Sequence, residues 1–307
     1  MLSGGAASLR RMKRFRWIPI VLALGLLAAC GDDGAAPAPG ASGGSRFGGP
    51  FADAKAYPVF ASSEVVVGEN RFLVGLLDEN DAPIGSGDIS MHIAFYNLAE
   101  SETEPVFERD MEFIESIPGE RGLYKTTAEF DAAGEWGAEV SVTGDGLDET
   151  INAAFDVALK PTTPAIGERV PASDSLTADD VGKLTEITTD PDPDPAFYEV
   201  SIEDAVKAGE PFVVVFSTPK FCTSQVCGPT LNIVKSVADD FGDVRFIHVE
   251  VYKNLDDPAN LLPVDAVTEW KLPSEPWVFV VDAKGKLAAK FEGTVTANEL
   301  ADSLKAL

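Results

Sequence analysis

The sequence predicts two domains, an all-β antiparallel sandwich followed by an α/β domain. Residues 55–160 contain short runs of alternating apolar residues separated by turn signals, with no helical pattern between them. Residues 197–307 instead alternate apolar strands with segments of helical spacing. The intervening residues 161–196 are rich in Pro, Thr and Asp, a composition typical of an extended linker or of a strap lying on the next domain.

The chain is strongly acidic, with 50 Asp and Glu residues against 24 Lys and Arg residues and a formal net charge of −26. Such a surface repels the phosphates of nucleic acids and the headgroups of anionic lipids. The composition therefore argues against a nucleic-acid partner.

The first 29 residues have the pattern of a secretory signal, in which basic residues precede the apolar run Trp17–Ala29. As a helix this run rises only about 20 Å, short of the roughly 30 Å hydrocarbon core. Leu27-Ala28-Ala29-Cys30 resembles the bacterial lipobox, which implies lipid on Cys30 and an extracytoplasmic protein tethered to the cell envelope. An ordinary cleaved signal or an uncleaved anchor are the alternatives. Residues 30–54, rich in Gly, Ala, Pro and Ser, are predicted to be a flexible tether.

The predicted sandwich carries no evident chemistry. It contains no cysteine, and His92 has no second histidine nearby, so no metal site is predicted there. Turn signals such as Pro118-Gly119 separate its strands, and the pattern resembles immunoglobulin-like domains of exported bacterial proteins. Its strand candidates are Arg71–Leu77, Ile89–Tyr96, Leu123–Phe130, Trp136–Thr143 and Ile151–Leu159.

The chemistry of the chain is concentrated between Pro211 and Leu231. The apolar run Phe212–Phe216 predicts a strand buried on both faces, and a loop with Cys222 and Cys227 leads from it into a helix. A thiol at a helix N-terminus is stabilised as thiolate by unpaired N–H groups and the helix dipole. Two neighbouring cysteines in an oxidising compartment are expected to form a disulfide unless they are reduced.

The spacing of the two cysteines constrains where that helix begins. Five residues on one helix place two side chains about 140° apart around its axis, too far for a bond. Pro229 belongs in a first helical turn and would break a helix that began near Ser224. The helix is therefore predicted to start at or after Cys227, with Cys222 reaching in from a bulged loop.

The stretch Val213–Phe216, the cysteine loop and Cys227-Gly228-Pro229 resemble the active-site region of the thioredoxin-like family. Farther on, Leu272–Asp282 resembles the cis-proline and central strand of that family, and the following hairpin is similar to its membrane-tethered exported branch. The resemblance implies thiol-disulfide exchange with protein partners, a cis bond before Pro276, and a substrate groove bounded by Pro276, Glu275 and Pro229. It implies no cofactor or metal.

The sequence also departs from that family. The cysteines are spaced C-x-x-x-x-C rather than C-x-x-C, and Thr230 stands where the second cysteine of the family would be. Val215 and Phe216 occupy the region in which the family keeps a buried acid. Proximity to the helix dipole favours Cys227 as the attacking thiolate and Cys222 as the resolving one, and the reverse holds if Cys222 is the more exposed.

Three further functions compete with exchange. The thiolates with His248 suit Cu(I), as in a copper chaperone. Pro219 and Thr223 match a peroxiredoxin spacing, although Cys227 comes one residue late and no arginine follows nearby. Lastly, the disulfide could be a permanent staple of a structural lipoprotein, but a six-residue loop gains only modest stability from closure.

Overall fold

The computed structural model describes residues 45–48 and 54–307. Cys30, the predicted signal and most of the predicted tether lie outside the described residues. The described chain is mostly β, with several sheets and a few short helices. Within these residues no helix is both long enough and apolar enough to span a bilayer.

The first seven strands form one antiparallel sheet with the order β1-β2-β5-β4-β3-β6-β7. This pairing confirms the predicted antiparallel arrangement. The strands are β1 Ala56–Phe60, β2 Gly68–Asp78, β3 Ser90–Asn97, β4 Phe107–Ile117, β5 Arg121–Phe130, β6 Gly134–Gly144 and β7 Leu147–Val157.

Strand β4 joins two halves of this sheet, because its first half pairs with β3 and its second half with β5. The two halves pack face to face over an aromatic core. In that core the ring of Phe72 on β2 lies 5.2 Å from Phe95 on β3 and 5.3 Å from Phe155 on β7. We call β1–β7 the sandwich.

The rest of the chain, which we call the cysteine-bearing part, is built on a four-stranded sheet with the order β13-β12-β8-β9. Strands β8 and β9 are parallel, and β12 is antiparallel to β8. Its elements are α1 Ile202–Ala208, β8 Phe212–Ser217, α2 Cys227–Ala238, β9 Arg245–Glu250, β10 Tyr252–Lys253, β11 Leu262–Pro263, α3 Asp265–Glu269, β12 Trp277–Val281, β13 Leu287–Glu292 and α4 Ala297–Lys305.

Strand β8 is buried on both faces, as its unbroken apolar run predicts. Phe216 packs with Trp270 and Phe279 on one side, and Val213 and Val215 pack under α2 and α4 on the other. The predicted helix caps are present too, since Ser201 accepts a hydrogen bond from the N–H of Asp204 and Thr296 forms a capping box with Glu299. Between residues 258 and 270, the helical portion is only a short turn and α3.

Residues 161–196 lie on the cysteine-bearing part as a strap. Their buried side chains include Val170, Ser173 and Thr188. Ser173 accepts a hydrogen bond from Trp270 Nε1 at 3.1 Å, so the strap closes one face of the sheet. The described residues belong to one compact unit. The division into two domains is therefore not confirmed, and its boundaries stay predictions.

The sandwich is tied to the cysteine-bearing part by an ion-pair contact, which consists of Arg71, Lys125 and Glu299. Arg71 donates to both oxygens of Glu299, at 2.7 and 3.0 Å, and Lys125 Nζ lies 3.2 Å from the same carboxylate. Burial alone would raise the pKa of Glu299, but its bonds to Arg71 and the charge of Lys125 lower that pKa to about 2.

Residues 45–48 belong to the segment that the sequence predicts to be a flexible tether, and in the structure they pack against the sandwich. The ring of Phe47 is buried and lies 5.1 Å from the ring of Tyr96. It can approach the sheet because any Cβ at Gly137 would overlap it. Arg46 also bonds Glu139, so one aromatic ring and one arginine suffice to fix this segment on the sandwich.

Candidate functional site

Cys222 and Cys227 form a disulfide, with their Cα atoms 6.0 Å apart. Helix α2 begins at Cys227, as the position of Pro229 predicts, and Cys222 reaches it from the loop after β8. The carbonyl of Thr218 accepts hydrogen bonds from the N–H groups of Phe221 and Cys222, which turns the chain back toward α2. The bulged loop is thereby confirmed.

The two sulfur atoms differ in access. Cys227 is 0% exposed, whereas Cys222 is half-exposed. The N–H of Cys227, at the first turn of α2, donates to Cys222 Sγ at 3.3 Å, and Ser224 Oγ lies 3.2 Å from the same sulfur. The helix N-terminus is thus directed at Cys222, and this arrangement favours Cys222 as the attacking thiolate, the reverse of the assignment favoured by the sequence.

The other predicted groove residues lie at the same end of the sheet. Trp277 on β12 pairs with Phe216 on β8, so Pro276 precedes β12 at the edge where β8 runs into the cysteine loop. The Glu275–Pro276 bond is cis, as expected. Pro229 is half-buried in the first turn of α2.

Glu275 and two aromatic side chains line the surface beside the loop. Burial raises the pKa of Glu275, and burial together with the charge of Glu275 raises the pKa of Tyr252. The ring of Tyr252 lies 6.4 Å from that of Phe221, next to Cys222. The two rings place aromatic surface next to Cys222, with the carboxyl of Glu275 near Tyr252.

A buried polar network lies behind the loop and was not foreseen from the sequence. His248 Nε2 lies 3.2 Å from the carbonyl of Ser217, which can only accept, so this nitrogen carries the proton. His248 Nδ1 then accepts from the Tyr198 hydroxyl at 2.7 Å, and Thr188 lies 3.0 Å from that hydroxyl. Burial lowers the pKa of His248 to about 4, so the ring is neutral at pH 7.

This network bears on the copper alternative. Both ring nitrogens of His248 are engaged, Nε2 by the Ser217 carbonyl and Nδ1 by the Tyr198 hydroxyl, so the imidazole is not free to serve as a third ligand with the cysteines. Across residues 45–48 and 54–307, no three His, Cys, Asp or Glu side chains are grouped as a metal site.

Glu250 is a buried acid that the sequence did not reveal as part of the site. It lies on β9 opposite Ser217, one residue before Thr218 at the start of the loop. Burial raises its pKa, and its Oε2 accepts from the Thr189 backbone N–H at 2.8 Å and from the Thr189 hydroxyl at 2.6 Å. The signal that could have identified it is a charged residue at the end of an otherwise apolar strand beside β8.

Arg121, from the sandwich, is the second residue that the sequence did not reveal. Its Nη2 donates to the backbone carbonyl of Ser224 at 2.9 Å and to Gln225 Oε1 at 3.2 Å. We call this the loop contact. No arginine follows the cysteines closely in the sequence, but the fold brings one from 103 residues upstream of Ser224.

Comparison with known proteins found no matching family model and no matching curated protein. Among solved structures, a thiol:disulfide interchange protein of the thioredoxin family from Chlorobium tepidum TLS is 16% identical, with a TM-score of 0.30, over 48% of this chain and 98% of that chain. A putative glycoside hydrolase from Bacteroides vulgatus ATCC 8482 is 10% identical, with a TM-score of 0.23, over 48% of this chain and 26% of that chain.

The filamin domain of Lin-41 is 14% identical, with a TM-score of 0.18, over 33% of this chain and 92% of that chain. At such low TM-scores these similarities carry no argument about function. The immunoglobulin-like resemblance of the sandwich has no support among them and stays a prediction.

Proposed function

We propose that this protein carries out thiol-disulfide exchange with protein partners through Cys222 and Cys227. The observation that supports this most directly is the disulfide itself, which joins an accessible sulfur to a buried one at the first turn of a helix. A six-residue ring adds only modest stability, about 2 kcal/mol, so a structural role alone is a weaker explanation of the bond than exchange chemistry.

The exchange proceeds in two steps when this chain is the reductant. The Cys222 thiolate attacks one sulfur of a partner disulfide, forms a mixed disulfide and expels the partner's other sulfur as a thiolate. The Cys227 thiol then loses its proton and attacks Cys222 Sγ, which closes the ring and releases the second partner thiolate. The partner gains two electrons and, on protonation, two protons, and this chain loses the same two electrons.

The assignment of Cys222 as the attacking thiol follows from access and hydrogen bonding. A visiting polypeptide reaches a half-exposed sulfur before a fully buried one. The N–H of Cys227 that points at Cys222 Sγ stabilises negative charge on that atom in the reduced protein. Cys227 is then the resolving thiol, since in the oxidised protein it is bonded to the sulfur that it must attack.

The surface beside Cys222 supports a polypeptide as the partner. Glu275, Pro276 and Pro229 lie at the same end of the sheet as the loop, and Phe221 and Tyr252 add apolar area there. An extended peptide carrying a cysteine presents both apolar side chains and backbone groups to such a groove.

The proposal is tested by equilibrating the protein with glutathione or dithiothreitol buffers and trapping the free thiols. A midpoint between about −150 and −270 mV supports exchange. A midpoint below about −300 mV indicates a structural bridge and overturns the proposal.

Single-cysteine variants test the order of attack. Cys227→Ser retains the attacking thiol and is expected to accumulate a mixed disulfide with glutathione or with a cysteine-containing peptide. Cys222→Ser is the matched control and is expected to accumulate little, because its remaining thiol is buried. Equal trapping by both variants contradicts the assignment but not the exchange itself.

We further propose that the protein acts outside the cytoplasm, tethered by lipid on Cys30. The support is the apolar run followed by Leu27-Ala28-Ala29-Cys30. Labelling of bacterial cells that express the full chain with radioactive palmitate is expected to mark the wild type and not Cys30→Ser. Equal labelling of the two, or none of the wild type, argues against the lipid anchor.

A further inference from the structure

We infer that Arg121 is a positioning residue for the disulfide, so that the sandwich sets how readily Cys222 and Cys227 close into a ring. The inference rests on the proposed exchange function and adds a residue to it. It is carried by the loop contact, in which one guanidinium nitrogen bonds two successive residues between the cysteines.

The segment between the cysteines has few other restraints. Ser224 and Gln225 are exposed, and Gln225 has a left-handed backbone with φ of 63°. Within the loop, the N–H of Gln225 donates to the carbonyl of Cys222 at 3.3 Å. Among the described residues, Arg121 supplies the only hydrogen bonds that join residues 223–225 to a partner outside the loop.

Arg121 is itself held firmly in place. It is the first residue of β5 and pairs with Ile117 across the β4–β5 turn, where Gly119 has φ of 72°. At the next residue, any Cβ on Gly122 would overlap the Phe113 ring and the Ile114 carbonyl, so glycine lets the two strands approach closely. The guanidinium is therefore presented by a rigid hairpin rather than by a flexible loop.

The contact stabilises the oxidised protein more than the reduced one, because forming it costs less ordering when the ring is already closed, and it therefore favours ring closure. In the disulfide form the covalent ring already restrains residues 222–227. After reduction that restraint is lost, and Arg121 continues to hold Ser224 and Gln225 near α2. The two thiols then keep a high effective concentration, which favours re-formation of the bond.

The reaction measured is ring closure, in which the dithiol protein plus glutathione disulfide gives the disulfide protein plus two glutathione. Arg121→Ala is expected to lower the equilibrium constant for ring closure about fivefold, the effect of losing an exposed hydrogen bond or two. Arg121→Lys is expected to recover part of the loss, because its ammonium can still donate to the Ser224 carbonyl.

Arg109→Ala is the matched control. Arg109 is an exposed arginine of the sandwich that donates to the carbonyl of Glu108 and does not touch the loop. Its replacement removes the same charge and should leave the equilibrium constant for ring closure unchanged. Circular dichroism and the unfolding transition of each variant establish that the fold is intact.

A second readout separates positioning from a general structural effect. In a Cys227→Ser background only the mixed disulfide between Cys222 and glutathione forms. Adding Arg121→Ala should leave the equilibrium constant of this step within about twofold of its value in the Cys227→Ser single variant. The change in the two-cysteine protein must then arise at the ring-closing step. A loss at the first step instead indicates a disturbed Cys222 and overturns the inference.

Two other results also overturn it. An unchanged equilibrium constant for ring closure in Arg121→Ala shows that the contact does not restrain the reduced loop. An increased ring-closure constant shows that the charge of Arg121 acts chiefly by stabilising the thiolate of the reduced protein. Failure of the proposed function is a different result, namely a wild-type midpoint below about −300 mV. The two failures can be told apart because the ratio of the ring-closure constants of Arg121→Ala and wild type can be measured whatever the wild-type midpoint is.

Discussion

Two arginines of the sandwich contact the cysteine-bearing part and differ in the kind of group that they bind. Arg71 pairs with a carboxylate at an interface where both side chains are 16% exposed. Arg121 is half-exposed and bonds a carbonyl and a side-chain amide, neither of which is charged. The ion-pair contact is therefore expected to determine stability, and the loop contact to determine the chemistry of the disulfide.

The largest effect is expected from breaking the ion-pair contact with Glu299→Ala. This change leaves Arg71 and Lys125 without their shared carboxylate and removes the capping box of α4. We expect the free energy of unfolding to fall by about 3 kcal/mol in chemical denaturation. The control is Glu112→Gln, which removes an exposed partner of Lys125 and should cost less than about 0.5 kcal/mol. Equal losses in the two variants would remove the distinction between the contacts.

The same contact predicts a dependence of stability on pH. The pKa of Glu299 falls from an unfolded value of 4.5 to about 2 in the folded protein. A carboxyl with a depressed folded pKa stabilises the protein above its unfolded pKa, and this contribution is lost as pH falls from about 4.5 to about 2. The loss amounts to about 3 kcal/mol. Measured against pH, the difference between wild type and Glu299→Gln should shrink through this window, whereas a constant difference contradicts the prediction.

Tyr198→Phe separates the effect of burial from that of charge. The Tyr198 hydroxyl is buried, as the ion-pair contact is, but its hydrogen-bond partners are uncharged, as those of the loop contact are. The change leaves His248 Nδ1 and Thr188 without that hydroxyl. We expect a loss of about 1 kcal/mol in the free energy of unfolding and no change in the glutathione equilibrium. A changed equilibrium would place the network behind the loop in the exchange chemistry.

The smallest effect on stability is expected from Arg121→Ala. In the reduced protein the open ring no longer orders the loop, and the two exposed acceptors can bond water instead, so the free energy of unfolding of the reduced protein should fall by no more than about 0.5 kcal/mol. Thermal and chemical unfolding of the reduced protein measure this directly. A loss comparable to that of Glu299→Ala would mean that the loop contact is a structural one.

Local features of the cysteine-bearing part were predictable because each depends on neighbouring residues. Pro229 placed the start of α2, Thr296 and Glu299 placed the start of α4, and the unbroken run in β8 indicated burial on both faces. The relative exposure of the two sulfurs was not predictable, because it depends on how the bulge of the loop lies over the sheet.

Two strands of the sandwich escaped the sequence patterns. Strand β1 contains Pro58, which argues against a strand, and it is tolerated because β1 is an edge strand of the sheet. Strand β4 carries several charged residues on its exposed side, which obscure the alternation. Long-range contacts such as that of Arg121 with Ser224 leave no local signal at all, because only the assembled fold brings the two residues together.

The hairpin that presents Arg121 makes the behaviour of the disulfide a property of the full-length chain. A fragment that begins after the strap would keep both cysteines and α2 yet lack the arginine that steadies them. Potentials obtained on such a truncated protein are expected to differ from those of the intact one. By the same reasoning, a longer turn at Pro118 and Gly119 is expected to change the reduction potential of the disulfide, although this turn is far in the sequence from either sulfur.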